Sequence, residues 1–166
     1  LKDRLIRRAL TEIVPYPKRF RWAMKAAPLG RRMSRTFRAL NLPELAAMVN
    51  LAPMDAPRSG RFRGPGKASP TGVRTGRVIM LAGCAQQVLR PEINDATIRL
   101  FARGGIDVIV SAGAACCGAL SQHIGHEEQA IKAAKINVDA WSKEIAKGGV
   151  DAIIINTSGC GTTVKD

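Results

Sequence analysis

From Arg77 onward the chain alternates short apolar runs with longer helical patterns, and this alternation limits the folds open to it more than any other feature. Arg77–Ala82 (RVIMLA) is an apolar, β-prone run. Residues 91–103 place Ile93, Ala96, Thr97, Leu100 and Phe101 on one expected helical face. Pro91 suits the first turn, and Gly104–Gly105 suits the stop. Ile106–Val110 (IDVIV) reads as a second strand. Glu127–Lys147 reads as a long helix with Ala130, Ala134, Val138, Trp141 and Ile145 on one face, ended by Gly148–Gly149. Val150–Asn156 (VDAIIIN) reads as a third strand. The order β-α-β-α-β, with connections long enough for crossover helices, predicts parallel strands and right-handed crossovers. Near-continuous apolar strands predict a sheet covered on both faces. The expected class is therefore α/β, half of an open doubly wound parallel sheet, with further strands expected beyond residue 166.

Charge divides the chain at the same place. Residues 1–77 hold 18 Lys+Arg and 4 Asp+Glu, whereas residues 78–166 hold 8 and 9. Residues 1–50 read as a connector of short basic helices: Leu1, Leu5, Ile6 and Leu10 recur at helical spacing among basic residues, and Pro15, Pro17, Pro28 and Pro43 interrupt the pattern. Residues 51–76 are rich in Pro and Gly and read as a flexible linker. A basic segment can meet nucleic acid, anionic lipid or an acidic partner. One Tyr and few aromatics give little for bases to stack on, so a nucleic-acid partner is not expected. No stretch approaches the roughly 20 apolar residues of a membrane helix, and no signal-peptide pattern is present. A cytoplasmic protein is the default expectation. The chain starts at Leu1 rather than Met and stops just after a cysteine motif, so an internal piece of a longer protein is expected.

All four cysteines, Cys84, Cys116, Cys117 and Cys160, lie in the near-neutral part, each following an expected strand. Ligands of open parallel sheets bind outside the carboxyl ends of the strands. The topology therefore predicts that the four thiols share one rim. Glycines flank them at 83, 118, 159 and 161, and amides in such loops can stabilise anionic sulfur. Four thiolates suit Zn²⁺ or an iron–sulfur cluster. Inert buried thiols are the competing reading, and a strained Cys116–Cys117 disulfide is a minor one. No G-x-G-x-x-G follows a strand, so no nucleotide site is indicated.

The runs GCAQQ (83–87), ACCGAL (115–120) with His123 and Gly125, and NTSGCG (156–161) resemble the cysteine-rich CCG domain. Together with PEINDAT (91–97), they look most like the version in glycolate oxidase iron–sulfur subunits. The resemblance covers residues 77–166 firmly and 1–76 loosely. It implies a first, truncated CCG domain at 77–166, with Cys84, Cys116, Cys117 and Cys160 as ligands of an iron–sulfur cluster. It also implies [4Fe–4S] clusters in the intact subunit, flavin-containing partner subunits that oxidise glycolate, and a membrane acceptor or quinone pool reached from the inner face of the cell membrane. Zinc in this domain, and lactate or another 2-hydroxy acid as the substrate of the complex, stay open as alternatives. The general pattern ends in Cys-x-x-Cys, and here Thr157 stands at its first position, which puts a five-thiolate centre in doubt.

Among the smaller signals, His123 reads as a loop histidine ahead of a ligand or proton relay. His126 reads as an exposed residue at a helix start. Gln86 and Gln87 either bond a ligand beside Cys84 or face solvent. Asn94 and Asn156 are expected to pin loops through side-chain–backbone bonds, and Trp141 to pack in the core.

Overall fold

The computed structural model describes residues 2–53, 60 and 64–165. Four helices come first: α1 (Lys2–Ile13), α2 (Pro17–Arg32), α3 (Ser34–Ala39) and α4 (Pro43–Leu51). Pro17 and Pro43 open helices, where a missing amide hydrogen costs nothing. Pro28, expected to break the pattern, lies inside α2. It sits on the exposed side, near the helix end, and the lost donor would have served a single carbonyl.

The sheet follows as β1 (Gly66–Ala68), β2 (Gly76–Leu81), β3 (Ile106–Val110) and β4 (Ala152–Ile155). Between β2 and β3 lie α5 (Gln86–Leu89) and α6 (Pro91–Arg103). Between β3 and β4 lie α7 (Ala119–His123) and α8 (Glu127–Ala146), and α9 (Ser158–Lys165) follows β4. The strand order is β1-β3-β2-β4. The three expected strands pair in parallel, with Val78 opposite Val108 on one side and Ala152 on the other.

Strand alternation sends successive β2 side chains to opposite faces. Ile79 and Leu81 join Ile109, Trp141 of α8 and the two adjacent cysteines. Val78 and Met80 join Val108, Val110 and Ile98 of α6. The centre of the sheet is thus covered on both faces, as expected. β4 is not: it is an edge strand, and Ile153 is 38% exposed.

Two expectations about the elements change. The stretch read as a linker contributes β1, which pairs antiparallel with β3; residues 54–59 and 61–63 lie outside the described residues. The pairing is held by charge: Lys67 lies 2.9 Å from Asp107, a buried carboxylate that Arg74 also approaches at 3.5 Å. The helix faces are also rotated. α6 buries Pro91, Asn94 and Ile98, while Ile93 and Leu100 point outward, Leu100 being 70% exposed. α8 buries Ala130, Asn137, Ala140 and Trp141 and leaves Ala134, Val138 and Ile145 exposed. In both helices an asparagine takes a core position that an apolar reading gives to a neighbour.

Candidate metal centre at the sheet rim

The carboxyl ends of β2, β3 and β4 release the chain into three segments, and each delivers thiol to the same place. Cys84 lies in the turn after β2. Cys116 and Cys117 end the loop after β3. Cys160 stands in the first turns of α9, a helix that the sequence alone did not suggest. The Cys116 and Cys84 sulfurs are 3.2 Å apart. Cys117 hydrogen-bonds to both Cys116 and Cys160. All four sulfurs therefore lie close enough to interact, in the order 84–116–117–160. Cys116 and Cys117 are each 6% exposed, within the core cluster, and Cys84 and Cys160 pack against it. All four are free thiols, so the structure has no disulfide between the adjacent pair.

Asparagines and glutamines fix the three segments. Asn137 of α8 accepts from the Ala115 amide at 2.7 Å and donates to the Cys116 carbonyl at 2.9 Å, so a fully buried side chain closes the loop that carries both central thiols. Sequence reasoning missed it, because its partners are backbone groups that no spacing reveals. On the other side, Gln86 donates to Asn94 at 2.5 Å and to Asn156 at 2.7 Å. Asn156 donates in turn to Asn94 and Thr97, each at 3.0 Å. Asn94 also donates to the Ala82 carbonyl at 2.7 Å, the side-chain–backbone bond expected of it. Gln86 is half-buried, and its bonds tie the Cys84 turn to the segment before Cys160. Thr157, at the place of the missing cysteine, donates to Gln86 at 2.8 Å.

Gly118 explains how the thiols approach α8. Its φ is +92°, and a Cβ there would meet the Ala130 carbonyl oxygen at 3.0 Å. Only glycine supplies both the left-handed turn and the close contact. His123 ends α7 and is exposed, while His126 is half-buried just before α8.

The sulfurs share protons. Hydrogen bonding from Cys116, and then from Cys160, holds Cys117 down to about 3. Hydrogen bonding from Cys116 likewise lowers Cys84 below the ordinary thiol value. Cys116, as donor to both neighbours, is pushed far up, and Cys160 is raised by donating to Cys117. Amides of Ala119 and Cys117 at the Cys117 sulfur, and of Ala85 and Cys84 at the Cys84 sulfur, add to the effect. The amide stabilisation expected of these loops is present.

Does this donor set fit a thiolate-bound metal group? Cys117 is favoured as the thiolate, the form that ligates, and Cys84 is shifted the same way. A cavity of about 250 Å³ opens beside Cys117, lined also by Trp141, Asn137 and Thr163. The Trp141 indole N–H is buried and has no hydrogen-bond partner among the described residues, a donor facing a place that calls for an acceptor. The set fits an anionic, sulfur-rich group. Among the described residues no three His, Cys, Asp or Glu donors converge on a single ion position.

A family model for the cysteine-rich domain called CCG matches residues 78–165, the span that carries all four thiols. The chain belongs to the CCG cysteine-rich domain family. The CCG domain accounts for the near-neutral half; relatives cover the whole. The chain is 34% identical over its full length to the glycolate oxidase iron-sulfur subunit of Escherichia coli (strain K12). It is 29% identical, again over its full length, to the probable glycolate oxidase iron-sulfur subunit of Bacillus subtilis (strain 168). It spans 36% and 38% of those two proteins. No solved structure matches.

Proposed function

We propose that this chain is part of the iron–sulfur, electron-transferring subunit of a glycolate oxidase complex, and that Cys84, Cys116, Cys117 and Cys160 are ligands of an iron–sulfur cluster. The observation that carries the reading is the convergence of four interacting sulfurs from three segments of one sheet rim. Both relatives are named as glycolate oxidase iron-sulfur subunits, the second as a probable one, and align with the whole chain. When bound, the cluster supplies one-electron transfer. The chain's own residues hold and tune it. Asn137 and the Gln86–Asn94–Asn156 set fix the loops, backbone amides offset thiolate charge, and Trp141 offers an N–H. A cluster distributes thiolates over several metal ions. A lone zinc would take all four sulfurs at about 2.3 Å from one point; the preference for a cluster rests on the two relatives, both named iron-sulfur subunits. Flavin-containing partner subunits oxidising glycolate or another 2-hydroxy acid, and an acceptor at the inner face of the cell membrane, complete the proposal.

The test is metal and sulfide analysis of anaerobically purified subunit. Iron with matching acid-labile sulfide, and a brown colour lost in Cys117→Ser, are expected. A colourless protein with stoichiometric zinc would overturn the proposal.

A further inference from the structure

Helix α2 begins without the usual partner for its end. Tyr16 stands at the cap position and makes no side-chain cap bond, Pro17 has no amide hydrogen, and the first turn holds no acidic residue. The amides of Lys18 and Arg19 come too early in the helix for an intrahelical partner. No other group among the described residues accepts from them. The helix is 16 residues long, and such an end carries about half a positive charge. A side-chain oxygen or a bound anion commonly answers it.

This end opens on a cavity of about 620 Å³ that the carboxyl ends of β2 and β3 also line. Leu81, Val110, Pro65 and Tyr16 give it apolar and aromatic walls. Lys18 and Arg21 add positive charge, and no Asp or Glu of the described residues lines it. Arg19 borders it too, but its guanidinium is taken by Glu12 at 2.8 Å. Lys18 makes no ion pair among the described residues. Arg21 is held at the wall by its bond to the Gln87 carbonyl, 3.3 Å away, which leaves its charge unneutralised. An independent sign comes from the sheet side. Ser111 lines the cavity, is 3% exposed, and its hydroxyl has no partner among the described residues. A buried hydroxyl left unpaired is costly unless something accepts from it.

Two unneutralised cations, an uncapped helix end and a spare hydroxyl, with no acid among them, call for a dianion rich in acceptor oxygens. A carboxylate brings one charge and two oxygens. A phosphate monoester brings roughly 1.5 to 2 negative charges and three strong acceptor oxygens at neutral pH. We infer that this cavity binds a phosphate monoester with a flat apolar body. The phosphate sits at the start of α2, with Lys18 and Arg21 as countercharge. The body lies against Leu81 and Val110, and the Ser111 hydroxyl donates to an oxygen of the ligand. The volume falls in the range of small-molecule sites, and apolar walls with few polar groups are their usual make-up. No thiol lines the cavity, so the inference is independent of which metal group the cysteines hold.

The test is calorimetric titration of the intact subunit, in buffer free of phosphate and sulfate, with phenyl phosphate, inorganic phosphate and benzoate. Phenyl phosphate should saturate at one site per chain and bind roughly ten-fold tighter than either of the others. Lys18→Gln and Arg21→Gln should each weaken it roughly ten-fold, the effect of one charge-assisted hydrogen bond, and Ser111→Ala roughly five-fold. The first two are surface changes that keep the inference testable should Ser111→Ala fail to fold. Lys25→Gln removes the same charge from the same helix, outside the cavity walls, where Lys25 lies over the Trp22 ring. It should alter binding less than about two-fold. Phenyl phosphate that does not saturate, or that responds to Lys25→Gln as strongly as to Lys18→Gln, overturns the inference and leaves only general attraction to a basic segment. Benzoate binding as tightly as phenyl phosphate overturns the choice of a dianion, and inorganic phosphate binding as tightly overturns the apolar body.

Discussion

Residues 76–165 pack Ile79, Met80, Leu81, Val108 and Ile98 into a sheet closed by helices, whereas the helices of residues 2–51 bury little beyond Thr11, Phe20, Ala27 and Ala46. The first region is nearly neutral and holds all four cysteines. The second is strongly basic and leaves Leu5, Trp22, Leu29 and Leu40 exposed. It reaches the sheet domain partly through polar links, such as Gln129 to Glu12 at 3.2 Å and Arg21 to the Gln87 carbonyl. The contrast shows where positional accuracy resides. A metal group needs ligands held to a fraction of an ångström, and only packed strands and satisfied buried amides hold a loop that firmly. The basic helices shape the approach to the site from outside.

Substitutions in the two regions should therefore differ in kind, and the largest effect belongs to the thiols. Cys117→Ser should abolish cluster loading, read as loss of visible absorbance and of bound iron. Next is Asn137→Ala, which leaves a buried amide and a buried carbonyl unpaired. About 3 kcal/mol of stability should be lost in urea unfolding, together with faster loss of iron. A smaller shift should follow from Trp141→Phe, which keeps the packing and removes one N–H. If that donor serves a cluster sulfur, the reduction potential falls by about 30–60 mV in a redox titration, because a donor favours the more negative reduced state. An unchanged potential at equal iron content would detach Trp141 from the centre.

Asp107 offers a pH test of the β1–β3 pairing. Lys67 hydrogen-bonds its carboxylate and, with Arg74, holds it below the usual range. A carboxyl depressed in the folded state stabilises fully above its unfolded value, about 4. The stability is lost as pH falls through the folded value. Melting temperature should drop as pH falls below about 4, and Asp107→Asn should flatten that limb. Smallest of all, Arg38→Gln on the exposed side of α3 should change stability by less than about 0.5 kcal/mol. A loss comparable to that of Asn137→Ala would refute the division drawn here.

Much of this was legible beforehand, and the misses share a cause. Helix Pro91–Arg103 and strand Ile106–Val110 were readable to the residue because Pro, Gly and apolar runs mark their ends. The gathering of the four thiols followed from topology alone. Which face of α6 and α8 turns inward was not readable. Asn94 and Asn137 face the core for hydrogen bonds to residues far along the chain, while Leu100 and Val138 look like core and are not. β1 was hidden because Gly-Lys-Ala has no apolar pattern, and its pairing owes more to Lys67 meeting Asp107 than to burial. Thr157 was visible as a departure, but its bond to Gln86 was not.

β1 also bears on where a shortened version of this protein could begin. The family match starts at residue 78, yet trimming to that point would strip β3 of its outer neighbour. It would bare the hydrogen-bonding groups of Val108–Val110 and leave Asp107 without Lys67 and Arg74. A flat apolar edge of that kind invites other chains to pair with it. The smallest soluble piece able to present the four sulfurs should therefore retain Gly64 onward.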